Sequence, residues 1–134
     1  MNKKTNKVID YLTIEEVCDA IGIKRSSRAQ ITRWIQDNRI VGAFRFGKTW
    51  AIPTNWVKSE CLARNLKFAE NTLQENEIGV SLNDYIDIDS YVKDKDVTYQ
   101  KIYNDVINER INNYVRFGTT YGIRKEDIKW NIEN

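Results

Sequence analysis

The chain of 134 residues has the length of one ordinary domain or two very small ones, and 41% of it is apolar, enough to build a core. No stretch approaches the roughly 18 apolar residues that span a bilayer, and the basic start "MNKKTNKVID" lacks the apolar run of a signal peptide. With no histidine, no metal-ligand cluster, no phosphate-cradling glycine loop and no nucleophile–base pair, neither an enzyme nor a bound metal or cofactor is expected.

The net charge of +2 conceals a split. Residues 1–69 carry 13 Lys and Arg against 6 Asp and Glu, whereas residues 70–134 carry 8 against 13. Such asymmetry suggests two different partners, one of them a polyanion. The two cysteines, Cys18 and Cys61, are far apart and fall in helical patterns, so they are expected to be buried and inert, in a reducing, cytoplasmic setting.

Taken in chain order, Thr13 followed by Glu16 is a capping-box signature. Ile14, Val17, Cys18 and Ile21 then follow helical spacing up to Gly22. Ser26 or Ser27 offers an N-cap for a second helix with an apolar stripe of Ile31, Trp34 and Ile35. "IVGAFRF" and "TWAI" are β-prone runs around Gly47 and predict a hairpin, with Phe46, Trp50 and Ile52 packing on the helices. Pro53, Thr54 and Asn55 start a third helix, which continues through "NWVKSECLARNLKFAE". The acidic segment 68–81 is expected to be linker or the end of that helix.

The same layout is written twice. "RFGKTWAIP" (45–53) and "RFGTTYGIR" (116–124) share five of nine letters at a spacing of 71. That spacing also matches Ile31 with Ile102, Ile35 with Val106 and Ile40 with Ile111. Upstream it becomes 74, which matches Tyr11 with Tyr85, Ile14 with Ile88, Glu15 with Asp89 and Ile23 with Val97. The first copy therefore holds three extra residues within "KRSSRAQ". A tandem duplication is expected, with copies at 8–67 and 82–134, the last helix of the second being a stub at most. Helix, turn, helix, hairpin, helix is the order of a winged helix-turn-helix. The expected fold is thus α+β, mostly α: two such domains, each with helices and a two-stranded wing.

In a helix-turn-helix the second helix enters the major groove. With Ile31, Trp34 and Ile35 turned inward, Arg28, Gln30, Thr32, Arg33 and Gln36 face outward. Arginine and glutamine suit the role because guanidinium and amide groups can bond a base edge at two points. Lys24, Arg25, Ser26 and Ser27 precede the helix and suit phosphates. Arg45 and Lys48 flank the hairpin turn, where a thin basic loop can follow the backbone or enter the minor groove. A solvated charged helix face and a hairpin kept only for folding are the plainer alternatives.

The stretch "YLTIEEVCDAIGI…ITRWIQDNRIVGAFRFGKTWAIPTNWV" resembles the MerR-like, excisionase-type winged helix-turn-helix family of small DNA-binding proteins. Tyr11, Leu12, Thr13 and Glu16 stand at that family's entry to helix 1, and Ile40 stands on its approach to the wing. Arg45, Phe46, Gly47, Trp50, Ile52 and Pro53 match its wing. The resemblance covers about residues 9–60. It implies DNA contacts from Arg28, Thr32, Arg33, Arg45 and Lys48. The three-residue excess departs from the family and would lengthen the second helix or widen the turn.

The second copy keeps the apolar skeleton and loses the charge. Asn104, Asp105 and Thr119 stand where the first has Arg33, Trp34 and Lys48, and Asp87, Asp89, Asp94 and Asp96 crowd its start. Carboxylates repel a phosphate path over a Debye length of roughly 10 Å. A protein-binding role through residues 82–134, by homodimerisation or a regulatory partner, is therefore favoured. Lys101, Arg110, Arg116 and Arg124 remain as second-domain DNA contacts in the alternative of two DNA-reading modules.

The leading expectation is a small sequence-specific DNA-binding protein, a transcription regulator or excisionase-like architectural factor. The Asn- and Lys-rich, Ala-poor composition suits a bacterial phage or other mobile genetic element. The alternative is an inhibitor or adaptor that binds protein through its acidic half, for example one that blocks a host defence nuclease.

Overall fold

The computed structural model describes residues 4–69 and 72–126. The fold is mixed α+β. Strand β1 (Thr5–Val8) and the short strand β2 (Tyr11–Leu12) precede helix α1 (Ile14–Ile21). A 3-10 turn (Arg25–Ser27) leads into α2 (Arg28–Gln36), followed by β3 (Phe44–Phe46), β4 (Thr49–Pro53) and α3 (Thr54–Ala63). The second half runs through β5 (Glu77–Val80), β6 (Tyr85–Asp87), α4 (Ile88–Val92), α5 (Tyr99–Ile107), β7 (Tyr114–Phe117) and β8 (Thr120–Arg124). Each half forms a three-stranded antiparallel sheet of one topology, β2-β4-β3 and β6-β8-β7.

Local chemistry explains the boundaries. The Thr13 hydroxyl accepts from the Glu16 amide while the Glu16 carboxylate accepts from the Thr13 amide, so the capping box at α1 is complete. Gly22 ends the helix at φ 78°. The three extra residues of the first half are the 3-10 turn: α2 and α5 are both nine residues long, and α5 starts directly at its cap Thr98. The excess thus widens the turn and leaves the second helix its length. Ser27 occupies the cap position of α2 without a side-chain bond, since its place is set by its own amide, which donates to the Lys24 carbonyl.

Helix α3 stops at Ala63, short of the sequence expectation. Asn65 turns left-handed at φ 58°, and the Leu66 and Asn65 amides donate to the Cys61 and Leu62 carbonyls, a Schellman ending. Asn38 closes α2 in the same manner. Residues 77–80 are not linker. They pair in parallel with β1, Thr5 opposite Glu77 through Val8 opposite Val80. Most of the stub helix expected at the end of the chain falls on residues 127–134, outside the described residues.

Three apolar clusters hold the chain. One lies under α1, α2 and α3, around Val17, Ile31, Ile52 and Val57. Another lies under α4 and α5, around Ile88, Ile102, Val106 and Ile123. The third belongs to both halves: Phe46 and Ala51 meet Leu82, Tyr85, Val115 and Phe117. Strand alternation dictates this division, because neighbours along β4 point to opposite faces. Ile52 faces its helices, whereas Ala51, beside it in the strand, faces the other half. Phe46 shares that outer face, so it packs edge-on against Phe117, ring centroids 6.2 Å apart, and not on the helices. Hydrogen bonds reinforce the joint. The Asp10 carboxylate accepts from the Ser81 hydroxyl at 2.5 Å and the Leu82 amide at 3.0 Å, and the Asn6 amide group donates to the Tyr114 carbonyl.

Candidate functional site

The exposed side of α2 carries Arg28, Gln30, Arg33 and Gln36, with Thr32 half-buried, while Ile31, Trp34 and Ile35 are in the core. The amphipathic spacing thus places the predicted polar set outward. Arg28, Thr32, Arg45 and Lys48 line one groove of about 250 Å³ between α2 and the first hairpin, together with Glu15 of α1 and Thr119 of the second hairpin. Lys24, Arg25, Ser27, Gln30 and Arg33 do not line it; all five are exposed.

Two of the predicted cations already hold carboxylates of α1. Arg28 lies 2.9 Å from Glu15. Arg25 grips both oxygens of Asp19, at 3.0 and 2.5 Å, which holds that carboxyl below its usual range. Their availability to an anion was overestimated from sequence, because the i to i+6 and i to i+13 pairings cross the turn between helices. Arg45 lies over the Trp50 ring at 5.0 Å, its cross-strand neighbour on the helix-facing side of the hairpin.

The hairpin turn is not a free loop. Gly47 has φ 62°, the left-handed conformation at the first central position of a two-residue turn. A Cβ there would stand 2.8 Å from the Thr120 methyl and 3.2 Å from an Asp87 carboxylate oxygen. Gly118 is its counterpart at φ 61°, facing Thr49 and Thr13. The two tips therefore press on each other's halves, and only the Lys48 side chain of the first tip is well exposed.

In the second half, Lys101 and Arg110 both bind Asp105, at 3.0 and 3.3 Å, and Arg124 binds Glu126 at 3.0 Å. Arg116 lies over Tyr121 at 5.7 Å, repeating the Arg45–Trp50 pair. What sequence reasoning missed is the tyrosine chain on this half. Tyr99 stacks on Tyr103 with centroids 6.1 Å apart, and Tyr103 meets Tyr121 edge-on at 5.4 Å. The spacing of 71 could have found it, since Tyr99, Tyr103 and Tyr121 match Arg28, Thr32 and Trp50. Burial raises the Tyr99 phenol above its usual range, and the nearby Asp89 charge adds to the rise. A second groove of about 500 Å³ is lined by Ile88, Asp89, Tyr99, Thr119, Thr120 and Lys48, so Lys48 and Thr119 border both grooves.

Both cysteines are buried free thiols, raised in pKa by that burial. Among the described residues no cluster of ligating side chains could hold a metal ion, and no helix is long and apolar enough to cross a membrane. No protein-family model, no curated protein and no solved structure matches the chain.

Proposed function

We propose that the protein binds duplex DNA sequence-specifically, as a transcription regulator or an excisionase-like architectural factor of a mobile element. In this reading the chain is two winged helix-turn-helix modules paired through their wings. Helix α2 enters the major groove, where Arg33 and Gln30 address base edges. Arg28, Arg45 and Lys48 meet the flanking phosphates. The observation that carries the reading is the convergence of these cations from α2 and the hairpin on one groove. The packed hairpin tip alters the expected mechanism: Arg45 and Lys48 act from the strand and the side of the turn, not as a loop inserted into the minor groove. The second module supports the first: Lys101 and Arg110 share the single Asp105 carboxylate, Arg124 pairs with Glu126, and Asp89 lines the groove that matches the cationic one.

The test is an anisotropy titration of the full chain with DNA from the region upstream of its own gene, against random duplex, at several salt concentrations. The expected result is preference for the upstream DNA and a steep loss of affinity with salt. Arg33→Ala should cost on the order of 1–3 kcal/mol on the specific site if it addresses a base. Arg45→Glu should weaken every duplex alike. Equal, feeble binding to all duplexes, unmoved by either substitution, overturns the reading.

A further inference from the structure

The two grooves are the same place in the two halves. Ile14 and Ile88, Glu15 and Asp89, and Thr49 and Thr120 occupy matching positions along them. In the first half a guanidinium fills part of the space: Arg28 reaches across to Glu15 at 2.9 Å, and about 250 Å³ remains. In the second half the position of Arg28 is taken by Tyr99, and about 500 Å³ is open. Asp89 there has no ion-pair partner among the described residues. Tyr99 is backed by Tyr103 and keeps 36% of its surface exposed beside that carboxylate.

We propose that the second groove is a docking site for an arginine side chain presented by a protein partner, its guanidinium pairing with Asp89 and lying against the Tyr99 ring. The first half displays the occupant's chemistry, since its own arginine holds the equivalent carboxylate. Arginine fits better than lysine because its planar fork can bond a carboxylate at two points and also stack on an aromatic face. A nucleic-acid strand fits worse, because Asp89 would face its phosphates. Tyrosine and arginine are also the side chains that most often anchor protein interfaces. Lys48, on the shared rim, opposes the incoming charge, so its removal affects the two sites in opposite directions.

The inference does not rest on the duplex-binding reading, and the two can fail separately. The full-length protein, labelled with nitrogen-15, is titrated with N-acetyl-L-argininamide and, in parallel, with the neutral citrulline analogue. Saturable shifts at the Asp89, Tyr99, Thr119 and Thr120 amides are expected with the arginine compound only. Asp89→Asn should weaken binding about tenfold, the equivalent of about 1.4 kcal/mol. Tyr99→Arg should abolish it by supplying the groove with the chain's own guanidinium, as in the first half. Lys48→Ala should bind the arginine compound at least as tightly. Absence of saturable shifts, an equal response to the citrulline analogue, or an unchanged affinity in Asp89→Asn overturns the proposal. Asp89 is exposed, so that variant carries the test even if Tyr99→Arg fails to fold.

Discussion

Thr49 and Thr120 occupy matching positions in the two halves, and their hydroxyls lie 2.7 Å apart. A side chain bonded to its own counterpart means that the repeated hairpins pair with each other inside one chain, as two subunits would. The bond lies beside the Phe46–Phe117 contact, so a polar and an apolar interaction join the halves at one place. Thr49→Val and Thr120→Val should each cost about 1 kcal/mol, because each leaves one hydroxyl at the joint without its partner. The double exchange should cost less than the two together, measured as a double-mutant cycle by urea denaturation. Additive costs would show that the hydroxyls do not depend on each other.

The second hairpin is tighter than the first at one point. Gly122 matches Ala51, and a Cβ on Gly122 would run into the Phe46 ring. Gly122→Ala should therefore cost about 1–3 kcal/mol by overpacking. Phe46→Leu, which shrinks the opposing side chain, should recover part of that loss in the double variant. Thermal melts of the four proteins measure both effects.

Those joint residues also mark where the sequence could be read and where it could not. Thr13, Glu16 and Gly22 set the limits of α1 through bonds within a few residues, so their spelling suffices. The stripe Ile31, Trp34 and Ile35 orients α2 for the same reason. The three extra residues could be confined to "KRSSRAQ", but their assignment to the turn and not to the helix needed the structure. By contrast, the sequence reading puts Phe46 on the helices beside Trp50 and Ile52, because nothing near it in the chain names a cover for the other face of the hairpin. The cover is Phe117, 71 residues away. The parallel pairing of β1 with β5 was illegible because both strands are four residues long, β1 is largely polar, and the two are joined only through the whole first half. At the candidate site the outward polar face of α2 was legible. The commitment of Arg28 to Glu15 and of Arg25 to Asp19 was not, since it depends on how α1 and α2 cross.

The buried thiols set a limit on stability at alkaline pH. Burial raises both Cys18 and Cys61, with Glu15 and Asp19 adding to the rise at Cys18 and Glu60 adding to it at Cys61. A free thiol ionises at about 8.5 once unfolded. Above that value the unfolded chain has released protons that the folded chain retains, so unfolding becomes easier as pH rises. The stability contributed by the neutral thiols is complete below about pH 8.5 and is lost progressively up to their raised folded values. Urea melts from pH 7 to 10 should show this decline, and a Cys18→Ala, Cys61→Ala variant should lack that part of it. Thiol reagents should label the native protein slowly and the unfolded protein at once.

The pairing of Arg28 with Glu15 bears directly on the duplex-binding proposal. Both side chains are substantially exposed, at 61% and 36%, so their ion pair adds little to stability and its loss should not unfold the chain. Glu15 nevertheless places a negative charge in the groove where Arg45 and Lys48 would meet phosphate. Glu15→Gln should release Arg28 and remove that repulsion at once. Duplex affinity is then expected to rise about tenfold at low salt, and the slope of log affinity against log salt should steepen by about one. Glu60→Gln is the control: Glu60 of α3 pairs with Arg64, just past the helix end, and does not line the groove, so it should change neither quantity appreciably. An unchanged slope in Glu15→Gln would remove Arg28 from the phosphate contacts and leave Arg45 and Lys48 to carry them.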